Sequence, residues 1–286
     1  MAWPARRSSR MTDKHPTFPE KDKYREIKKD LIATLGEFIA TILFLLFGLG
    51  GVQVVGTSLL AERDALGADA SGTSPNGSDA ARLLGYYYIS SAFGFSLFAI
   101  ASIFYRFTGS IMNPSVGLAL CLCGVIKPLR FILTATAQMV GAIVAAAILD
   151  GLTPGPLNVG VALGYGTNRT RGLFIEMFTT ATLVMSVLML AAEKHNLTPL
   201  APLGFGFTLF IVMLWSVPFT GGAVNTARAF GPAVIEGFPD YHWIYWLGPT
   251  LGALLSSGLF YILKRIHYWK VNPNQDSTDP HDAPST

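Results

Sequence analysis

The chain has 286 residues, 51% of them hydrophobic and only 14% charged, with a mean hydropathy of +0.42. Soluble domains carry roughly 25% charged residues, so an ordinary soluble domain is excluded, and a net charge of +3 is too small for a nucleic-acid-binding surface. The apolar residues fall in long blocks rather than in alternating or heptad patterns, and a bilayer span needs about 20 of them.

In chain order, 1–30 is a polar, Lys/Arg-rich tail, expected to be cytosolic and partly disordered. The first apolar run, 31–56, is long enough to be a span, so no cleavable leader is expected. Residues 57–82, rich in Ala, Ser, Gly and Asp, read as a loop. Further spans are expected over 83–104, 128–149, 172–192, 201–217 and 243–266, followed by a second polar tail over 267–286. Basic residues concentrate at both ends, including Arg6, Arg7, Lys28, Lys29, Lys264, Arg265 and Lys270. An even number of spans puts both tails on one side, and the basic bias makes that side the cytosol. The 57–82 loop then faces outward with an Asn76-Gly77-Ser78 sequon, as does Asn168-Arg169-Thr170. The expected location is the plasma membrane.

Segments 108–124 and 220–237 are semi-apolar and too short to cross. Backbone leaves a spanning helix inside a bilayer only where protein or a water-filled cavity satisfies its polar groups. Two re-entrant segments therefore point to a pore.

The two halves repeat. Thr108-Gly109-Ser110-Ile111-Met112-Asn113 has the spacing of Thr220-Gly221-Gly222-Ala223-Val224-Asn225, 112 residues on. Gly141-Ala142 matches Gly252-Ala253, and Glu37 with Thr41 matches Glu176 with Thr180. Each copy, about 31–150 and 170–266, holds three spans and one re-entrant segment. Three is odd, so the copies have opposite orientation, and inverted repeats place a site at their interface near the midplane. The expected fold class is an all-α membrane protein with six transmembrane helices plus two re-entrant half-helices in an inverted repeat.

Asn113-Pro114-Ser115 and Asn225-Thr226-Ala227 each follow a Gly-containing turn and precede a helical run. Asn is a strong N-cap and Pro suits the first helical position. Each Asn either caps a half-helix only, or also turns its amide toward a passing water. Two half-helix N-termini facing one narrow pore repel cations, and oriented waters cannot relay a proton. Arg228, one turn into the second half-helix, is either a pore-lining cation barrier or an interfacial side chain. Glu37 and Glu176 suit either a proton relay or acceptors that brace the re-entrant loops. Cys121 and Cys123 read as packing residues. No metal spacing, no cofactor signature and no nucleophile–base pair stands out, so the chain does not read as an enzyme.

Over about 32–265 the sequence resembles the aquaporins, or major intrinsic proteins. The motifs that carry the resemblance are the two Asn boxes, the stretch Thr220–Ala233 (TGGAVNTARAFGPA), Ala137-Gln138 through Gly141-Ala142, and His242-Trp243-Ile244-Tyr245-Trp246-Leu247-Gly248-Pro249. The loops and tails are styled like those of fungal members. The resemblance implies the aquaporin fold, a homotetramer with one pore per subunit, and a four-residue outer selectivity filter at Phe93, Met213, Gly222 and Arg228. Met213 stands where strict water channels carry His, and Gly222 where larger residues often narrow the pore. Ser115 and Thr226 depart from the family's Asn-Pro-Ala boxes, and Ile111 replaces a His common before the first box. Ala229, Ala233, Tyr245 and Trp246 are water-type residues where glycerol conductors usually carry Asp, a basic residue, Pro and an aliphatic residue. The filter alone reads as wider and less polar. The expected function is a passive channel for water and hydrogen peroxide that excludes protons and ions, in contact with the lipid bilayer. The alternatives are an aquaglyceroporin-like channel for glycerol or urea, a coupled secondary transporter using Glu37 or Glu176, and a closed structural member with no transport.

Overall fold

The computed structural model of the protein describes residues 19–65 and 75–272, with side chains described over 25–58 and 80–272. The outer parts of both expected tails, the middle of the expected 57–82 loop and the side chain of Asn76 lie outside these residues.

Long apolar runs fold into eight helices among the described residues: α1 Pro19–Ala65, α2 Pro75–Thr108, α3 Pro114–Leu122, α4 Pro128–Leu152, α5 Arg169–Val187, α6 Ala201–Thr220, α7 Thr226–Glu236 and α8 Ile244–Arg265. Six of them contain a segment long and apolar enough to cross a membrane: Arg25–Ser58, Ala80–Thr108, Pro128–Leu152, Arg169–Ala192, Thr198–Thr220 and Ile244–Arg265. α3 and α7 are the two short ones.

Two boundaries differ from the sequence expectation. α1 begins at Pro19, inside the expected tail, because Glu20 to Lys29 is rich in the strong helix formers Glu, Lys and Arg. The expected 57–82 loop is helical at both ends, since α1 runs on through Leu59, Leu60 and Ala61 to Ala65, and α2 opens with Pro75 at its first position. α5 ends in a π-helical turn over Leu188–Ala192.

α1 packs on α2 and α4, and α5 packs on α6 and α8, so each repeat forms its own triad. The short helices cross over: α3 lies against α8 as well as α4, and α7 lies against α4. The triads meet where α2 crosses α6. There a Cβ on Gly94 would stand 2.9 Å from the Gly206 carbonyl oxygen, and one on Gly206 would stand 2.7 Å from that of Gly94. Phe210 lies over Gly94 and Phe98 over Gly206 in the same reciprocal way. Small residues at helix crossings let backbones approach, the main device for helix association in lipid. Gly141 and Gly252 serve the α1–α4 and α5–α8 contacts, against the Phe38 and Met177 carbonyls. These pairs trace a two-fold pseudosymmetry between the halves. Exposed Phe, Leu, Ile and Trp side chains cover the outer faces, including Phe95, Phe207, Ile211 and Trp215.

Candidate functional site

The site is built where the two re-entrant loops meet. Each loop leaves its long helix through a glycine with positive φ, Gly109 at 92° and Gly221 at 78°. The loops then repeat the same unusual backbone: Ser110 and Met112 have φ of 54° and 46°, and Gly222 and Val224 of 60° and 53°. Non-glycine residues in that region are strained and persist only where the surroundings hold them.

Glu37 and Glu176 supply the hold. Glu37, fully buried, accepts from the Thr108 hydroxyl at 2.6 Å and from the Ile111 and Met112 backbone N–H at 3.0 and 2.7 Å. Glu176, equally buried, accepts from the Thr220 hydroxyl at 2.6 Å and from the Ala223 and Val224 N–H at 3.0 and 2.7 Å. The two differ in one respect: Gln138 Nε2 also donates to Glu37 at 2.8 Å, whereas Pro249 stands 111 residues on. On the second side, the Tyr245 hydroxyl donates to the Thr220 carbonyl at 2.8 Å.

Each loop ends at its Asn. Asn113 Oδ1 accepts from Ser115 N at 2.9 Å, and Asn225 Oδ1 from Ala227 N at 2.9 Å, which caps α3 and α7. The amides reach across the pseudo-two-fold: Asn113 Nδ2 donates to the Val224 carbonyl at 2.9 Å and Asn225 Nδ2 to the Met112 carbonyl at 2.8 Å. Each Nδ2 carries two hydrogens, so one remains on each Asn, and both Asn side chains line the central cavity. Ser115 and Thr226 face one another at 3.4 Å between their hydroxyls. Pro114 and Thr226 each open a helix, so Thr in place of Pro leaves α7 formed.

The cavity is narrow and mainly apolar, walled by Phe44, Leu97, Ile111, Leu183, Val187 and Leu209 among others. Measured to the centres of the waters it would hold, its volume is about 20 Å³. One water needs about 10–15 Å³ on that measure. Arg228, 2% exposed, is the one charged side chain among the described residues that line it. Its guanidinium lies 5.2 Å from the centre of the Phe93 ring, and Nη1 donates to the Val159 carbonyl at 3.0 Å. No carboxylate stands within salt-bridge distance of it among the described residues.

Phe93, Met213 and Arg228 share this wall. Gly222 stands beside it, and a Cβ there would lie 3.0 Å from both Ser216 Oγ and Val217 Cγ2 and 3.4 Å from the Met213 methyl. Ser216, Val217 and the Met213 methyl together occupy the space next to the glycine.

Sequence reasoning missed Gln53, Gln138, Val159 and Glu236. Gln138 stood in a noted motif without a role. Val159 belongs to a strap, residues 153–168 between α4 and α5, where regular structure is absent up to the α5 cap, and Gln53 on α1 and Glu236 on α7 bond to its backbone. Gly160, flanked by valines, was the one available signal of a close backbone approach. Asn168 caps α5, its Oδ1 accepting from Arg171 N at 2.9 Å, a structural use of that sequon residue. Cys121 and Cys123 are free and half-buried.

Comparison with known proteins agrees with this geometry. The family model described as major intrinsic protein matches residues 24–261. The chain is 49% identical to "Aquaporin-1" of Laccaria bicolor over 92% of its own length and 80% of that protein's. It is 40% identical to "Probable aquaporin-3" of Gibberella zeae, covering 95% of this chain and 93% of that one. The X-ray structure of the aquaglyceroporin from Plasmodium falciparum superposes with a TM-score of 0.67, covering 84% of this chain and 99% of that chain at 17% identity, a likeness of fold. A six-span helical chain whose inverted halves meet at two capped half-helices, and whose sequence matches this family almost throughout, is an integral, multi-pass membrane protein of the major intrinsic protein (aquaporin) family of channels, and not an enzyme.

Proposed function

We propose that the chain is a passive channel for water and hydrogen peroxide that excludes protons and ions. The observation that carries this reading is the reciprocal pair of Asn amides, each tied to the other loop's carbonyl and facing the cavity with a free hydrogen. A water passing between two fixed donors turns its oxygen to them, so its hydrogens point outward along both arms and the proton chain is broken. Buried Arg228 adds positive charge with no carboxylate in contact. Peroxide matches water in polarity and needs little more width. The Met213 methyl, near the place of a Cβ at position 222, supports water-type selectivity against glycerol. A glycerol- and urea-conducting channel is the second reading, favoured by the apolar wall and by the missing side chain at Gly222.

Glu37 and Glu176 serve as loop braces in this account. Every acceptor role found for them goes to a loop N–H, a hydroxyl or Gln138, which leaves no partner for a proton relay and argues against a coupled transporter. The functional unit is proposed to be a homotetramer in the plasma membrane with both termini cytosolic. Lys28, Lys29, Lys127, Arg130, Lys264 and Arg265 gather at one end of the bundle, through Lys127–Glu26 and Arg130–Asp30 on α1 and Lys264–Glu193 beside α5, and basic residues mark the cytosolic side.

The test is uptake by liposomes holding a peroxide-sensitive dye. Protein-dependent entry of peroxide and water, unchanged when a proton gradient is imposed, is expected. Entry of neither, or flux that follows the proton gradient, contradicts the proposal.

A further inference from the structure

Arg228 stands where it does because something holds its acceptor. Its nearer acceptor is the Val159 carbonyl, at 3.0 Å in the strap between α4 and α5, while Nη2 donates to the Gly221 carbonyl at 3.5 Å. The strap has no ladder or helix to fix it there, yet three successive backbone N–H groups are each taken by a side chain, one by buried Gln53 and two by Glu236, which lies exposed at the mouth. Gln53, 3% exposed on α1, accepts from Asn158 N at 2.9 Å and donates to the Pro156 carbonyl at 3.1 Å. Glu236, the last residue of α7, accepts from Val159 N at 2.7 Å with one oxygen and from Gly160 N at 2.9 Å with the other. A Cβ on Gly160 would fall 2.5 Å from that second oxygen, so a larger residue there would make the carboxylate shift.

The Gly160 N–H and the Val159 carbonyl belong to one peptide unit. That unit is planar and trans, so its N–H and C=O point in opposite directions. Glu236 holds one edge of the plane and Arg228 the other. A carboxylate on the N–H also polarises the peptide and makes its carbonyl a better acceptor. Glu236 and Arg228 sit at opposite ends of α7, so helix, strap and filter close a ring through a single peptide bond.

We infer that Glu236 is a positioning residue for selectivity: through the Val159–Gly160 peptide it fixes the place of Arg228, and Gln53 fixes the residues just before. The inference rests on the proposed role of Arg228 in the filter. Without the carboxylate, the peptide is free to turn, Nη1 loses its acceptor, and the guanidinium leaves its place beside Phe93. The opening then admits larger neutral solutes. Gln53 and Glu236 come from opposite repeats, so the strap also joins the two halves at the mouth.

The test uses the full chain in liposomes and reads the ratio of glycerol to water permeability. A role confined to folding changes the number of working channels and leaves the ratio unmoved. Glu236→Gln keeps the shape but turns an amide N–H₂ toward a backbone N–H. It is expected to raise the ratio by roughly threefold to tenfold, the scale set by the loss of one ordinary hydrogen bond. Arg228→Ala is expected to raise it at least as far, and Glu236→Gln added to Arg228→Ala to change it no further. If Glu236→Gln fails to insert, Gln53→Leu loosens the strap from the other side and is expected to move the ratio the same way. An unmoved ratio in both variants, beside a raised one in Arg228→Ala, overturns this inference alone. So does a further rise when Glu236→Gln is added to Arg228→Ala. An unmoved ratio in Arg228→Ala instead overturns the filter reading on which the inference rests.

Discussion

At the scale of single residues, the proposed filter turns on what fills one small space. Met213 is an adaptable side chain, and its methyl rests against the place where any residue but glycine would put a Cβ at position 222. Met213→Ala removes that methyl and leaves Ser216 and Val217 as the side chains against that place. Glycerol permeability is then expected to rise by roughly tenfold, since a barrier change of about 1.4 kcal/mol gives that factor, with water flux equal or higher. Unchanged glycerol exclusion in this variant would mean that the constriction lies elsewhere. The braces obey a different rule. Glu176→Gln puts a hydrogen-bearing nitrogen in place of one of the two oxygens that accept from the Ala223 and Val224 N–H groups. Each buried bond to a charged group contributes about 1.5–3 kcal/mol, so a clear fall in melting temperature in detergent is expected, with loss of flux. A variant as stable and active as the parent would remove Glu176 from the account. The sequence showed both glutamates and both asparagines through their equivalent placement. It could not show which way the Met213 side chain turns, because that depends on how the loop after α6 folds back beside it.

At the scale of elements, the crossing of α2 and α6 carries the contact between the repeats. The Gly94 and Gly206 backbones approach so closely that a Cβ on either would meet a carbonyl oxygen and a phenylalanine Cβ. Gly94→Leu is expected to prevent assembly, with loss of protein from the membrane fraction, because overpacking by even a few methylenes costs about 1–3 kcal/mol. Normal yield and flux would show that the helices meet elsewhere. Gly94 and Gly206 are 112 residues apart, the spacing of Asn113 and Asn225, so this pair was legible in the repeat but was not singled out. The ends of α1 and α2 were misread for the opposite reason. The Ala-, Ser- and Gly-rich composition of 57–82 speaks of a loop as a whole, while short stretches such as Leu59-Leu60-Ala61 favour helix locally. The strap escaped notice because its contacts are side chain to backbone, and backbone groups carry no residue-type signal.

At the scale of the whole molecule, pH acts through a buried histidine at the mouth where the strap sits. His242, just before α8, is buried between the rings of Phe238 and Tyr245, with centres 4.8 and 5.7 Å away. Burial favours its neutral form and pushes its pKa below the ordinary value of 6.5. The unfolded chain takes up that proton first, so stability falls as pH drops below about 6.5 and is not affected by this group above it. Melting curves across that range are expected to show this slope, and His242→Phe to flatten it; an equal slope in the variant would assign the effect to other groups. The six spans, the inverted halves and the two half-helices followed from patterns repeated along the chain. The width of the path did not, since it is a property of all the elements at once.

Stopped-flow light scattering of reconstituted liposomes after a glycerol gradient tests that width most directly. The account predicts fast, protein-dependent shrinkage with reswelling no faster than in empty liposomes, because Met213 closes the space beside Gly222 while the paired asparagines pass water. Fast shrinkage followed by fast reswelling would contradict it and assign the chain to the glycerol conductors.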